Sequence, residues 1–248
     1  MDYFVFSDIH GHGVLFDKIV SWLNGRSEPW KCIFLGDACD RMNDGYRIIK
    51  AILNDDRFIY LKGNHEDLFV RAAKALKQRW LEDHITKSIA AANAYEHIIE
   101  YSWDFDIGLH IQNGGLKTLI DWVEDGSPMS IIGDLDRLPE HMELPHEIWG
   151  KLDLSHAGHF QDNSDSLIWS REHFQEDWKG GRMIHGHTPV RSLYKRVPTM
   201  NPRCFTKPAF YANGTKIDID TGCFSSEIIN LINLNTFECY TFQNALEE

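Results

Sequence analysis

Strand, loop and helix patterns alternate three times in the first third of the chain. Continuous apolar segments at residues 3–6, 32–35 and 58–61 are typical of strands that are buried on both faces. Each is followed by a polar loop that contains glycine. The spacing of apolar residues then predicts helices over residues 13–24 and 44–54 and a long helix after the third strand. This order favours an α/β fold with parallel strands at its core.

The remainder of the chain predicts a helical region and then a second group of strands. Residues 66–127 are mainly helical in pattern, and we expect Trp80, Trp103 and Trp122 to pack in the core. Strand-like segments follow at residues 152–154, 182–184, 216–219, 227–231 and 238–242. No linker or repeat divides the chain. We therefore expect one domain over residues 1–248, with two packed sheets, helices outside them and a mainly helical insertion at 66–127.

The composition is that of a folded globular protein. Hydrophobic residues make up 43% and charged residues 25% of the chain. A formal net charge of −12 opposes general binding to nucleic acid or to anionic membranes. No apolar stretch reaches the length of about 18 residues that a membrane span needs, and the N-terminal segment lacks the basic region of a signal peptide. Five cysteines without a Cys-x-x-Cys pair are typical of reduced thiols, so we expect a cytoplasmic protein without nucleic-acid or membrane partners.

Five of the predicted strands end in loops that combine glycine with acidic, amide or histidine side chains. The loops are Ser7-Asp8-Ile9-His10-Gly11, Gly36-Asp37-Ala38-Cys39-Asp40-Arg41, Gly63-Asn64-His65-Glu66, His156-Ala157-Gly158 and His185-Gly186-His187-Thr188. Ligands of α/β sheets gather at the carboxyl ends of strands. One such loop is weak evidence for a metal site, but five in one fold are strong evidence. Carboxylate and amide oxygens combined with imidazoles suit manganese, iron or zinc, and a structural zinc site would more usually use cysteine thiolates.

The order of these loops resembles the motif set of the calcineurin-like metallophosphoesterases. The motifs that carry the resemblance are Asp8-x-His10, Gly36-Asp37-x-x-Asp40-Arg41, Gly63-Asn64-His65-Glu66, His156-Ala157-Gly158 and Gly186-His187-Thr188. The second and third motifs narrow the resemblance to the phosphoprotein phosphatase branch. Trp169-x-Arg171 is similar to a segment of its bacterial and phage members, and Asp220-Thr221-Gly222 is similar to their C-terminal strand.

This resemblance implies a four-layer α-β-β-α sandwich of two mixed sheets with a helical insertion after the third strand. It also implies two divalent metal ions, with manganese as the first choice and iron or zinc as alternatives. The ligands of the first ion would be Asp8, His10 and Asp37. The ligands of the second would be Asp37, Asn64, His156 and His187, so that Asp37 bridges both ions. Arg41 and Arg171 would bind the phosphate, and His65 with its partner Asp40 would act on the leaving group.

The implied roles fit the chemistry of phosphate ester hydrolysis. Two cations roughly 3.5–4 Å apart can share a hydroxide that is nucleophilic at neutral pH. Arginine matches phosphate oxygens in bidentate geometry better than lysine does. An alkoxide is a poor leaving group, so a protonated His65 held by Asp40 is a suitable general acid. We therefore expect in-line attack by the bridging hydroxide, without a nucleophilic side chain.

Three functions remain open on sequence grounds. The first is a protein phosphatase that acts on phosphoserine and phosphothreonine, with phosphotyrosine as a further substrate. The second is a hydrolase of small phosphorylated molecules such as diadenosine tetraphosphate, because the hydrolases of that class share most of these motifs. The third is a non-enzymatic scaffold, which the complete ligand set opposes. Residues 66–150 are expected to decide between the first two, because they would form the wall beside the metal ions.

Overall fold

The computed structural model describes residues 1–158, 164–172, 174, 178–197 and 205–244. Within these ranges no helix is both long enough and apolar enough to cross a membrane. The cysteines in these ranges, Cys32, Cys39, Cys223 and Cys239, are free thiols, and Cys204 lies outside the described residues.

Ten strands and eleven helices follow one another along the described part of the chain. The strands are β1 (Asp2–Phe6), β2 (Trp30–Phe34), β3 (Phe58–Tyr60), β4 (His141–His146), β5 (Gly150–Ser155), β6 (Arg182–His185), β7 (Ala209–Tyr211), β8 (Lys216–Asp218), β9 (Ile228–Asn233) and β10 (Cys239–Gln243). The helices are α1 (Gly13–Asn24), α2 (Gly45–Leu53), α3 (Asn64–Glu82), α4 (Lys87–Ala92), α5 (Ala94–Glu100), α6 (Phe105–Gln112), α7 (Leu116–Glu124), α8 (Met129–Asp136), α9 (Ser164–Trp169), α10 (Val190–Leu193) and α11 (Cys223–Ser226).

The strands form two mixed five-stranded sheets. In the first sheet, with the order β10-β9-β1-β2-β3, the strands β1, β2 and β3 are parallel, and β9 and β10 are antiparallel to their neighbours. In the second, with the order β4-β5-β6-β8-β7, the strands β5, β6 and β8 are parallel, and antiparallel β4 and β7 form the edges. The predicted α/β fold of two mixed sheets with helices outside them is confirmed.

The first sheet is buried on both faces. Phe4 and Phe6 of β1 pack against the helices that cover this sheet. Val5 lies between them in the chain and points to the opposite face, where it packs between the two sheets with Ile33 and Leu154. Because both faces exclude water, each central strand is apolar at successive positions, which explains the continuous apolar segments of the sequence.

The helical region that follows β3 is longer than the sequence predicts. Helices α3 to α8 extend from Asn64 to Asp136, so α8 lies beyond the predicted limit of residue 127. Trp80 and Trp122 are buried and stack with their ring centroids 6.3 Å apart, as expected. Trp103 is 68% exposed, so its predicted burial is wrong. The Arg79 guanidinium lies 4.8 Å from its ring and makes a cation–π contact at the surface.

The sequence predicts neither edge strand of the second sheet. β4 contains Pro145, which argues against a strand because proline has no N–H for the ladder. An edge strand tolerates it, because Pro145 faces a partner, Lys151 of β5, on one side only. β7 has three residues, too few for an alternating pattern. Each of these edge strands pairs with the next strand along the chain, β4 with β5 and β7 with β8.

Candidate active site

The loops after β1, β2, β3, β5 and β6 meet at one edge of the two sheets. The backbone N–H of Asp8 donates to Gly36 O at 3.0 Å, which joins the first two loops. The N–H of Gly186 donates to His156 O at 2.8 Å, which joins the loops of the second sheet. The His187 N–H donates to the Asp8 carboxylate at 3.1 Å and so connects the two sheets. The five loops that the sequence singles out are therefore brought together.

The backbone of these loops is strained. The dihedral φ is positive at six of the ten predicted site residues, namely Asp8, His10, Asp37, Asp40, Arg41 and His187. Residues with a Cβ rarely adopt this left-handed region, and such strain is concentrated at functional sites. Glycines allow the loops to approach: a Cβ on Gly36, where φ is 101°, would lie 2.3 Å from the Gly63 nitrogen. This contact brings Asp37 beside Asn64.

The carboxylate of Asp37 is the centre of the site. Its Oδ2 atom lies 3.4 Å from His156 Nε2, 3.6 Å from His10 Nε2 and 3.9 Å from His65 Nε2. Its Oδ1 atom accepts a hydrogen bond from the backbone N–H of His65 at 3.0 Å. Asp37 is 2% exposed, so solvent screens these interactions only weakly. One carboxylate therefore faces three imidazole rings.

Backbone carbonyls orient two of these rings. His10 Nδ1 donates to Cys39 O at 3.1 Å, and His156 Nδ1 donates to Leu35 O at 2.9 Å. A carbonyl can only accept, so each Nδ1 atom carries a proton and each Nε2 atom is turned toward Asp37. This is the arrangement by which proteins fix the tautomer of metal-binding histidines.

Asn64 and His187 lie beside His156. The Asn64 Oδ1 atom is 2.9 Å from His156 Nε2 and 2.8 Å from His187 Nδ1. Asp8 lies at the other side of His187, where its carboxylate accepts the His187 N–H and the hydroxyl of Ser7. Asn64, His156 and His187 are thus in mutual contact, and Asp8 adjoins them through the backbone of His187.

His65 and Asp40 form a buried pair. His65 Nδ1 donates to Asp40 Oδ2 at 2.7 Å, and both side chains are almost completely excluded from solvent. Arg41 Nη2 donates to the other ring nitrogen of His65 at 3.0 Å. The Arg41 guanidinium also lies 4.6 Å from the ring of Phe224, which is 40% exposed. Arg41 therefore lies between the buried pair and the surface.

Arg171 follows α9 on a segment that is held beside the site. Trp169 contacts the His187 ring edge to face, with the centroids 6.1 Å apart. The pKa of Arg171 is lowered, because partial burial and the charge of Arg196 outweigh the opposite effect of Asp37 and Asp8. The guanidinium of Arg171 thus lies within the electrostatic field of the two carboxylates.

The charges in the site shift several pKa values. Burial opposes ionisation of Asp37, but His156 and His65 outweigh it and hold the pKa of Asp37 well below its usual range. Burial also opposes protonation of His156, but Asp37 and Asp8 raise its pKa to about 9. Burial and the neighbouring His65 lower the pKa of His10 to about 3. At neutral pH the His156 ring is therefore doubly protonated and positively charged, whereas the His10 ring is neutral.

Three groups of acidic and histidine side chains among the described residues place their ligand atoms within 4.8 Å of one another. The groups are His10, Asp37 and His65; Asp37, His156 and His187; and His141, Glu143 and Asp153. The first two share Asp37, the residue for which the resemblance implies a bridging role. The first contains His65 where the resemblance implies Asp8.

The third group lies outside the site, on β4 and β5. The ammonium of Lys151 is 3.1 Å from Asp153 Oδ1 and also bonds to Glu143. The indole N–H of Trp178 donates to the other oxygen of Asp153 at 2.8 Å. These carboxylates are already balanced by a side-chain cation, so the group is structural.

Three residues that the sequence does not predict as site residues support the site: Glu66, His110 and Thr118. Glu66 is fully buried and accepts three backbone hydrogen bonds from the second and third loops at 2.7–2.8 Å and one from the Tyr60 hydroxyl at 2.8 Å. It therefore holds the two loops together. His110 and Thr118 come from the helical region and contact Asp40. The Gly-Asn-His-Glu motif signals Glu66, whereas no motif signals the other two.

Solved structures share this arrangement of sheets. The crystal structure of a metallophosphoesterase from Sphaerobacter thermophilus matches with a TM-score of 0.54 at 13% identity, over 100% of this chain and 90% of that chain. The chain has the metallophosphoesterase fold. A candidate diadenosine tetraphosphatase matches with a TM-score of 0.58 at 13% identity, over 98% and 95% of the two chains. A cold-active protein-tyrosine phosphatase of a psychrophilic Shewanella species matches with a TM-score of 0.54 at 12% identity, over 97% and 77%.

These similarities concern the metallophosphoesterase fold and not a substrate. The two phosphatases are named for different substrates, a dinucleotide and phosphotyrosine, although both share the fold. No protein-family model matches this chain, and no protein of curated function matches its sequence. The activity therefore has to be argued from the side chains of the site.

Proposed function

We propose that the chain is a metal-dependent phosphomonoester hydrolase that acts as a protein phosphatase on phosphoserine and phosphothreonine. The observation that carries the proposal is the position of Asp37, which faces three imidazoles and belongs to two groups of ligand atoms. The His65–Asp40 pair and Arg41 lie beside it. A bridging carboxylate next to a general acid and a guanidinium suits the hydrolysis of a phosphate ester. We also propose that residues 1–248 form one catalytic domain, in which the helical region after β3, α3 to α8, is an insertion.

The donor set fits two divalent cations. The first would be held by Asp8, His10 and Asp37, and the second by Asp37, Asn64, His156 and His187. The Nε2 atom of His187 is buried and has no hydrogen-bond partner in the part of the chain that the structure describes, a need that a cation would satisfy. Imidazole, carboxylate and amide ligands together suit manganese, with iron and zinc as alternatives. When bound, the cations would supply an activated water and offset the charge of the phosphate.

The side chains of the protein account for binding and proton transfer. Arg41 and Arg171 would bind the phosphate oxygens through their guanidinium groups. Asp40 holds the Nδ1 atom of His65, so Nε2 is the atom that would deliver a proton to the leaving oxygen. A bound phosphate would draw Arg41 away from its 3.0 Å contact with that nitrogen and leave it free to carry the proton.

The His65–Asp40 pair favours an alkyl ester over a phosphoanhydride. Serine and threonine alkoxides leave poorly unless they are protonated. The leaving group of a dinucleoside polyphosphate is a nucleoside phosphate, which is a stable anion. A dedicated general acid therefore accelerates the first reaction far more than the second. The buried imidazole at 2.7 Å from Asp40 is suited to the alkyl ester.

A second candidate substrate, a dinucleoside polyphosphate, is favoured by Phe224. Its ring is 40% exposed and lies 4.6 Å from the Arg41 guanidinium, so an aromatic face adjoins a phosphate-binding group. Such a face can stack with a nucleobase, and also with the ring of phosphotyrosine. The fold similarity to a candidate diadenosine tetraphosphatase agrees with this alternative.

A side-by-side hydrolysis assay tests the proposed function. The purified protein is loaded with manganese and given phosphoserine, phosphothreonine and phosphotyrosine peptides and diadenosine tetraphosphate, with chelator-treated protein as the control. We expect metal-dependent release of phosphate from the phosphoserine and phosphothreonine peptides, with the dinucleotide untouched. A strong preference for the dinucleotide would support the second candidate, and activity on none of these substrates would contradict both.

Metal binding is expected to release about one proton from His156 near pH 7. Burial lowers the pKa of His156, but Asp37 and Asp8 outweigh it and raise this pKa to about 9, so the metal-free protein is protonated there. The apparent affinity should therefore rise with pH and level off above about pH 9. Calorimetric titration with Mn²⁺ in two buffers of different ionisation enthalpy measures the proton count. Equal proton release from the His156→Asn variant would show that the proton comes from another group.

A further inference from the structure

The helical region reaches the buried pair of the site through two side chains. Thr118 of α7 makes the closer contact. Asp40 is fully buried, and its Oδ2 atom accepts from His65 Nδ1 while its Oδ1 atom accepts from the Thr118 hydroxyl, both at 2.7 Å. The backbone N–H of Asp40 donates to the same hydroxyl at 3.2 Å. Thr118 therefore binds both the backbone and the carboxylate of Asp40 and limits rotation of that carboxylate.

His110 of α6 makes the second contact. Its Nδ1 atom lies 3.3 Å from Asp40 Oδ2, the oxygen that also binds His65. Its ring stacks on Phe69 with the centroids 5.7 Å apart, and a Cβ on Gly115 would lie 2.2 Å from the ring. The ring is fully buried, and neither nitrogen has a hydrogen-bond partner among the described residues. His110 therefore packs beside the Asp40 carboxylate without a hydrogen bond to it among the described residues.

The turn between α6 and α7 holds the next residue of the site, Arg41. The backbone N–H of Arg41 donates to Gly114 O at 3.1 Å. A Cβ on Gly114, where φ is 94°, would lie 3.0 Å from the Arg41 nitrogen, so the two backbones are in close contact. Arg41 itself has a φ of 69°, a conformation that needs such support. Residues 110–118 thus contact two consecutive residues of the site.

We propose that residues 110–118 are the positioning segment of the Asp40–His65 pair. Thr118 holds the Asp40 carboxylate by a hydrogen bond and His110 packs beside it. This carboxylate fixes the tautomer and the direction of the His65 ring. The inference rests on the proposed function, in which His65 protonates the leaving group. A carboxylate that rotates freely would let the ring turn away, and esters with poor leaving groups would lose their proton donor.

Thr118→Val tests the proposal, because valine keeps the shape of threonine and removes the hydroxyl. We expect kcat on a phosphoserine peptide to fall roughly ten- to thirtyfold, with a change of less than about threefold on p-nitrophenyl phosphate. Thr118→Ser restores the hydroxyl and should restore the peptide activity. Ile107→Val is the matched control, since it alters the buried packing of α6 without touching Asp40. Equal losses on both substrates, or no rescue by serine, would overturn the proposal.

A double-mutant cycle separates positioning from general destabilisation. In a His65→Asn background the proton donor is already absent, so Thr118→Val should have no further effect on the ratio of peptide to aryl phosphate activity. His110→Phe preserves the stacking on Phe69. In the His65→Asn background it too should leave the ratio of peptide to aryl phosphate activity unchanged. An undiminished effect in that background would show that Thr118 acts by some route other than His65.

A spectroscopic measurement distinguishes failure of this inference from failure of the proposed function. Long-range ¹H–¹⁵N NMR spectra of the imidazoles report the tautomer of His65 without any substrate. We expect a single Nδ1–H tautomer in the wild type and a mixture in Thr118→Val. If the wild type hydrolyses neither substrate but the tautomer shifts as expected, the positioning role stands and the proposed activity fails. An unchanged tautomer in Thr118→Val would overturn the positioning role.

Discussion

Asp37→Asn is expected to abolish hydrolysis, lowering kcat on the order of 10³-fold or more, while the fold stays intact. Asparagine keeps the oxygen that accepts the His65 N–H at 3.0 Å, so the loop retains this bond. The substitution removes the negative charge that lies within 3.9 Å of three imidazole nitrogens. A neutral amide is a poor bridge between two cations, so we also expect the bound metal to fall by about one ion per chain.

Three measurements on this variant check the expectation: kcat on p-nitrophenyl phosphate, the metal content by elemental analysis, and thermal unfolding. Asp125→Asn is the matched control, because Asp125 bonds to Tyr46 at 2.8 Å and to Lys50 at 3.1 Å on α2 and does not contact the site loops. This control should keep its activity and its metal. An active Asp37→Asn variant with a full complement of metal would rule out a shared bridging ligand.

His65→Asn should slow the hydrolysis of alkyl phosphates by about 10²- to 10⁴-fold and that of p-nitrophenyl phosphate by less than about tenfold. Burial lowers the pKa of His65, but Asp37 and Asp40 outweigh it and raise this pKa above its usual value. p-Nitrophenolate leaves readily without a proton, and an alkoxide does not. The comparison of kcat on a phosphoserine peptide and on the aryl ester therefore isolates the proton transfer.

His84→Asn provides the matched histidine control for this experiment. His84 lies at an exposed position after α3, where φ is 58°, a conformation that asparagine tolerates well. Both substrates should be hydrolysed at the wild-type rate by this variant. Equal losses on the two substrates in His65→Asn would mean that His65 acts on the phosphate or the metal ions instead of the leaving group.

The elements that were predicted correctly are those whose structure is decided by residues close to them along the chain. The segments at residues 3–6 and 32–35 predict strands buried on both faces, and they form β1 and β2 at the centre of the first sheet. Parallel strands bring their carboxyl ends to one edge of the sheet. The motif loops that follow these strands can therefore be predicted to meet there from the strand order alone. This is why the sequence predicts the convergence of Asp8, Asp37 and Asn64 on one site.

Sheet edges and surface positions were less predictable, because their exposure depends on where each element lies in the tertiary structure. Pro145 opposes a strand by every local criterion, yet it lies in β4 because its unpaired side is the free edge of the second sheet. Tryptophan is usually a core residue, yet Trp103 lies at the surface, where its ring contacts the Arg79 guanidinium. Neither contact has a local signature.

By itself the sequence determined the fold class, the strands that carry the site and the set of side chains at their ends. Strand burial, turns and loop chemistry are decided within a few residues, so they leave a pattern that can be recognised. Only the tertiary structure decided that Asp37 faces three imidazoles and that Thr118, 78 residues away along the chain, binds Asp40. Such a contact depends on how distant helices pack against each other. Many different sequences can pack in the same way, so no spacing of residues in the sequence predicts the contact.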